Sequence, residues 1–151
     1  MQTFRNFIGK NALYLALVQA IVAFLGSMYF SDVMLLKPCV LCWYQRIAMF
    51  PLAIGLATGI VLRDKNTHYF VLWPALIGWC ISAFHVLLYY KIIPDTLAPC
   101  EAGVSCTTRY FEIFGFITIP FLAFTAFSVI IVLMLERKKF IEREAAKGIQ
   151  A

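Results

Sequence analysis

Four stretches of this chain carry almost no charge, and each is as long as an α-helix must be to cross a lipid bilayer. Spanning a hydrocarbon core about 30 Å thick takes roughly 20 apolar residues. Residues 11–30 and 116–135 contain no Asp, Glu, Lys or Arg. Residues 69–90 hold His85 as their one basic side chain, with Cys80 near the middle, and residues 43–62 carry Arg46 close to their start. Inside lipid every backbone N–H and C=O must find a partner within the protein, which leaves helices as the economical solution for such runs. The expected fold is therefore all-α, a four-helix transmembrane bundle in a single domain covering residues 1–151. Composition agrees, since 62% of the 151 residues are hydrophobic and 14% charged, whereas soluble domains average about 45–50% and about 25%. An ordinary soluble protein and a disordered chain are both excluded. The first run follows Arg5 and Lys10, as a signal peptide would, but residues 26–30 have no small-x-small cleavage pattern, so an uncleaved helix is expected.

Orientation follows from the basic residues, which are retained on the cytoplasmic side. Nine of the thirteen Lys and Arg residues fall in the N-terminal segment, the 63–68 connection and the 136–151 tail. Lys37, Arg46, Lys91 and Arg109 fall on the other side. Both termini are thus expected in the cytoplasm, and the connections at about 31–42 and 91–115 outside. The net charge of +5 reads as a topogenic and lipid-surface signal. No basic-aromatic pattern suggests nucleic acid.

Four of the five cysteines lie on the predicted outer side, where disulfides persist. Cys39 and Cys42 form a Cys-x-x-Cys motif at the head of the second run, and Cys100 and Cys106 sit in the third connection. Cys80, alone at mid-depth, is expected to be a small buried hydrophobe. Spacing alone leaves three readings of the paired cysteines: structural disulfides, a zinc-thiolate site, or redox chemistry. Context favours redox. Pro38 suits a helix start, and a thiolate at a helix N-terminus is stabilised by free backbone N–H groups and the dipole. Arg46 lies four residues beyond Cys42, about 6 Å deeper on the same face, and is expected to aim its charge at that sulfur, although an arginine near a helix end can also snorkel to the interface. His85, about 7.5 Å below the outer end of its run, falls at similar depth. It could instead make an ordinary interhelical hydrogen bond. A thiolate, a cation and an imidazole at a lipid boundary suit a lipid-soluble, carbonyl-bearing, reducible molecule such as a quinone. Trp43, Tyr44, Tyr89 and Tyr90 could pack on its ring or simply form an aromatic belt.

The string Cys39-Val40-Leu41-Cys42-Trp43-Tyr44-Gln45-Arg46 heading the second of four helices, with a cysteine pair in the second external connection, resembles the DsbB/BdbC family of disulfide bond formation proteins. The resemblance covers the whole chain. It implies a membrane thiol:quinone oxidoreductase in a bacterial cytoplasmic (inner) membrane that reoxidises a thioredoxin-fold dithiol oxidase (DsbA/BdbD-like) and passes electrons to ubiquinone or menaquinone. It further implies that Cys39 and Cys42 are the quinone-coupled pair, Cys100 and Cys106 the partner-facing pair, and Arg46 the quinone-side arginine, with His85 carried beside it as a candidate quinone contact. Two departures stand out. Only five residues separate Cys100 from Cys106, which looks like the compact BdbC-like branch, and the position before the arginine, often acidic, is Gln45. In the related vitamin K epoxide reductase family the loop pair precedes the Cys-x-x-Cys, the reverse of the order here.

Overall fold

The computed structural model describes residues 2–35, 38–94, 118–146 and 148. Cys100 and Cys106 lie outside the described residues. The described chain forms α1 (Gln2–Met28), a π-helical turn (Tyr29–Val33), α2 (Val40–Val61), α3 (Thr67–Tyr89) and α4 (Ile119–Ala146), with no strand among them. All four helices are long and apolar enough to cross a membrane, as a multi-pass membrane protein requires. α1 starts well ahead of residue 11 and α4 runs eleven residues past Leu135 to Ala146. A charged segment can extend a helix beyond the hydrocarbon layer, so apolar runs mark the spanning core of a helix rather than its ends.

Each helix packs on two neighbours in the ring α1–α2–α3–α4, which closes through a broad α1–α4 contact. With lipid outside, close packing rather than hydrophobic transfer must hold the helices together, and small residues permit it. Ala12, Ala16 and Ala20 recur every four residues along α1, and all three are fully buried. Ala16 and Ala20 put a smooth ridge against the core of Leu52 and Leu56 from α2, Val71 and Ala75 from α3, and Phe127, Ile130 and Met134 from α4. Gly78 of α3 lies directly under the Phe127 ring, where a Cβ would clash. Most large apolar side chains instead face outward, including Val22, Ile54, Phe70, Trp73 and Val132.

Helices α2 and α3 both end in a Schellman motif. After α2, Arg63 takes the left-handed conformation (φ 51°), with Arg63 N–H donating to Ile60 C=O and Asp64 N–H to Gly59 C=O. After α3, Lys91 does the same (φ 56°), with Lys91 N–H on Leu88 C=O and Ile92 N–H on Leu87 C=O. The first of these caps makes a turn short enough that α2 and α3 must run antiparallel. The head of α2, residues 38–46, therefore stands beside the tail of α3, where His85 and Tyr89 lie.

Candidate functional site

The site is assembled at the start of α2. Cys39 is the N-cap residue, extended at φ −74° and ψ 170°, and its sulfur accepts the Cys42 N–H at 3.4 Å. That is the role a serine oxygen plays at an ordinary N-cap. One helical turn later the Cys42 side chain stands on the same face, and the two sulfurs are 3.1 Å apart as free thiols.

From α3, His85 Nε2 lies 3.7 Å from Cys39 Sγ, and His85 Nδ1 lies 3.3 Å from Gln45 Nε2. Cys39, Gln45 and His85 are all buried. Either sulfur can donate in the contact between them. The Cys42 N–H donates to Cys39 and the His85 ring stands beside the same sulfur, so the shared proton belongs on Cys42 and the negative charge on Cys39. The Cys42 hydrogen bond, followed by the bond and charge of His85, holds the Cys39 thiol well below the ordinary thiol range despite the opposing effect of burial.

Arg46 departs from expectation. Its hydrogen bonds among the described residues run to α1: Nε to Ser27 Oγ and Nη2 to Ser27 C=O, both at 2.8 Å, and Nη2 also to Ser31 Oγ. Its guanidinium carbon also sits 5.6 Å from the centre of the Trp43 ring. Ser27 and Ser31 flank the passage from α-helix into the π-helical turn, and the serine groups offer acceptors that a sulfur three residues into α2 cannot match. The guanidinium is thus anchored by Ser27 and Ser31 rather than bonded to a sulfur, and from there its charge still acts on Cys42. Nη1 makes no hydrogen bond among the described residues, which leaves one N–H edge for a further acceptor.

Cys80 also differs from its expected place, facing outward from α3 as an exposed free thiol. Trp43, Tyr44 and Tyr90 are exposed while Tyr89 is buried, and Tyr89 packs edge-on against Tyr90 with ring centres 5.6 Å apart. Sequence reasoning gave Gln45 no part in the site and passed over Ser27 and Ser31. One signal was available. Gln45 is a lone amide in an apolar run, and such a group, once buried, must find a partner.

Cys39, Cys42 and His85 offer three potential metal-ligand atoms within 4.8 Å of one another, one fewer than a closed structural zinc site uses. The same arrangement suits redox chemistry: a buried thiolate beside its partner thiol, an imidazole on the thiolate and a guanidinium edge nearby.

Residues 9–136 match the family model described as disulfide bond formation protein DsbB. The chain is 42% identical to the probable disulfide formation protein C of Halalkalibacterium halodurans over 132 residues, covering 86% of this chain and 96% of the relative. It is 45% identical to disulfide bond formation protein C of Bacillus subtilis over 122 residues, covering 81% and 88%. A probable disulfide formation protein C 1 from Bacillus anthracis is 43% identical over 124 residues, covering 82% and 88%. No solved structure matches significantly.

Proposed function

Because the chain belongs to the DsbB family of disulfide bond formation proteins, we propose that it is a membrane thiol:quinone oxidoreductase that keeps an extracytoplasmic thioredoxin-fold dithiol oxidase oxidised. The observation that carries this reading is the convergence on Cys39 Sγ of the Cys42 N–H, the Cys42 thiol and the His85 ring. A structural disulfide has no use for three groups that stabilise its reduced, ionised form.

The relay begins when the partner's thiolate attacks Cys100 of the Cys100–Cys106 disulfide, giving a mixed disulfide that the partner's second cysteine resolves. The dithiol left at Cys100 and Cys106 then reduces the Cys39–Cys42 disulfide. Attack on Cys39 expels Cys42 as a thiolate, and the second loop cysteine then closes the Cys100–Cys106 disulfide and releases Cys39. When Cys42 has given up its electrons, Cys39 closes the disulfide again, and two electrons have left the pair with its one shared proton, a second proton coming from water. Ubiquinone or menaquinone supplies a lipid-soluble acceptor for those two electrons and two protons. Arg46 Nη1 would meet its carbonyl, and exposed Trp43 and Tyr44 would flank its ring. Lys and Arg placement supports the cysteine end as extracytoplasmic and both termini as cytoplasmic.

The geometry of Cys39, Cys42 and His85 also gives a metal reading one specific observation. One experiment separates the two. Purified protein is mixed with a reduced thioredoxin-fold dithiol and a soluble quinone, with thiols counted before and after. Quinone reduction matched by loss of thiols is expected. No reduction, with thiols released only by a chelator, would overturn the relay in favour of a metal site.

A further inference from the structure

The buried amide of Gln45 has a consequence for His85. Its Nε2 can only donate, so at 3.3 Å from His85 Nδ1 it requires a lone pair there. A neutral imidazole with a lone pair on Nδ1 carries its one proton on Nε2. That nitrogen is the one 3.7 Å from Cys39 Sγ. The amide on α2 thus calls for the ring proton on Nε2, the nitrogen that faces the sulfur where negative charge collects.

We propose that Gln45 is a positioning residue that fixes the Nε2–H tautomer of His85 and so delivers a hydrogen-bond donor to the Cys39 thiolate. It acts through His85, its side-chain hydrogen-bond partner among the described residues. The inference deepens the relay reading and rests on it, because a donor on Cys39 is useful only if that sulfur cycles through the thiolate. When Cys39 closes the disulfide, its S–S bond to Cys42 forms, the electron pair leaves Cys42 for the quinone, and the His85 N–H returns to imidazole without ever being transferred. A carboxylate at position 45 would do the opposite. It can only accept, so it would draw the ring proton to Nδ1 and leave Nε2 bare toward the sulfur unless the ring became charged.

Nitrogen-15 NMR of the reduced full chain, labelled at histidine in lipid nanodiscs, reads the tautomer directly. There are two histidines, and the signal lost in His85→Asn identifies His85. The wild type is expected to show a bare Nδ1 and a protonated Nε2. Gln45→Glu should move the proton to Nδ1, and Gln45→Leu, which replaces the amide with an apolar side chain of similar size, should mix the two forms. In turnover, Gln45→Leu should lower kcat about tenfold, the worth of one misdirected hydrogen bond, with KM for quinone unchanged. A protonated Nδ1 in the wild type, a tautomer indifferent to both substitutions, or an unchanged kcat in Gln45→Leu would each overturn the proposal. Failure of the relay itself looks different, with no quinone reduction by the wild type while the ring proton sits on Nε2.

Discussion

The chain has two histidines, both on α3 and both buried, near opposite ends of the bundle. Their surroundings differ. His85 has an amide at one ring nitrogen and a thiol at the other. His68 has the Lys65 C=O at 2.9 Å on Nδ1, while its Nε2 is buried with no hydrogen-bond partner among the described residues. The charges around them differ in the same way. Arg46 is anchored by Ser27 and Ser31 inside the bundle, whereas Arg5, Lys139 and Arg143 share Glu136 across distances of 3.2 to 3.9 Å near the surface. At the cysteine end each polar group has a directed partner and the partners lead to a sulfur. At the other end the basic side chains around Glu136 make solvent-screened contacts and His68 bonds only a nearby backbone carbonyl among the described residues, and neither leads to a reactive group. Buried polar groups in a membrane bundle are costly, so a connected set of them marks function, and a loose set marks the place where the helices meet water.

The sharpest break between the two ends should come from Cys42→Ser, which is expected to abolish quinone reduction while leaving the four helices inserted. Retained reduction, measured with purified protein and a reduced dithiol partner, would remove Cys42 as the electron donor. Cys80→Ser is the control, because that thiol faces outward from α3 and is expected to leave turnover unchanged.

Next in size is Arg46→Ala. Losing a charge-assisted hydrogen bond costs about 1.5–3 kcal/mol, so the KM for quinone should rise roughly tenfold to a hundredfold. An unchanged KM would make Arg46 a clasp between α1 and α2 and nothing more.

The pair of histidines supplies the third test. His85→Ala removes a stabilising neighbour from the Cys39 thiolate, so the Cys39 thiol moves part of the way back up from about 4 toward its ordinary range. The remaining Cys42 bond, the largest cause of the lowering, should keep the loss partial, with a fall in kcat of about tenfold. Ultraviolet absorbance of the thiolate, followed from pH 3 to pH 9, should reach its half-point at higher pH in the variant than the wild type's value of about 4. His68→Gln should change neither the half-point nor kcat. A shift of equal size in both variants would erase the distinction between the two ends.

The fold was legible because lipid imposes a length: the nearly charge-free runs at 11–30, 43–62, 69–90 and 116–135 each overlap one of the four described helices that are long and apolar enough to cross a membrane. The Cys-x-x-Cys at a helix start was legible too, since Pro38 and the following apolar run announce the N-terminus. The partners of the side chains were not. Arg46 was expected to point along its own helix toward Cys42, and it reaches across to Ser27 and Ser31 instead, because helical spacing describes one helix and says nothing of where the next one stands. Gln45 suffered the same way. Its meaning lies in His85, forty residues away, and only the antiparallel return of α3 brings them together. Cys80 was read from its depth alone, which fixes how far along the helix it lies but not which face it takes.

The smallest effect belongs to the ion pairs near the termini. Glu136 is 22% exposed and its nearest partner Arg5 is 48% exposed, with 3.2 Å between them, so water screens the attraction and each long side chain loses freedom in making it. Exposed pairs of this kind contribute about 0–1 kcal/mol. Glu136→Gln removes the carboxylate that Arg5, Lys139 and Arg143 share, yet it should lower stability in micelles by no more than about 1 kcal/mol and leave quinone turnover unchanged. The Arg137 guanidinium, which donates to the Gly9 C=O at 3.2 Å, would still tie α4 to α1 in that variant. A fall in turnover on Glu136→Gln would mean that the two ends communicate, since no polar chain among the described residues joins Glu136 to the thiol pair. Denaturant unfolding and quinone reduction measured on the same preparation would separate that outcome from a simple loss of folded protein.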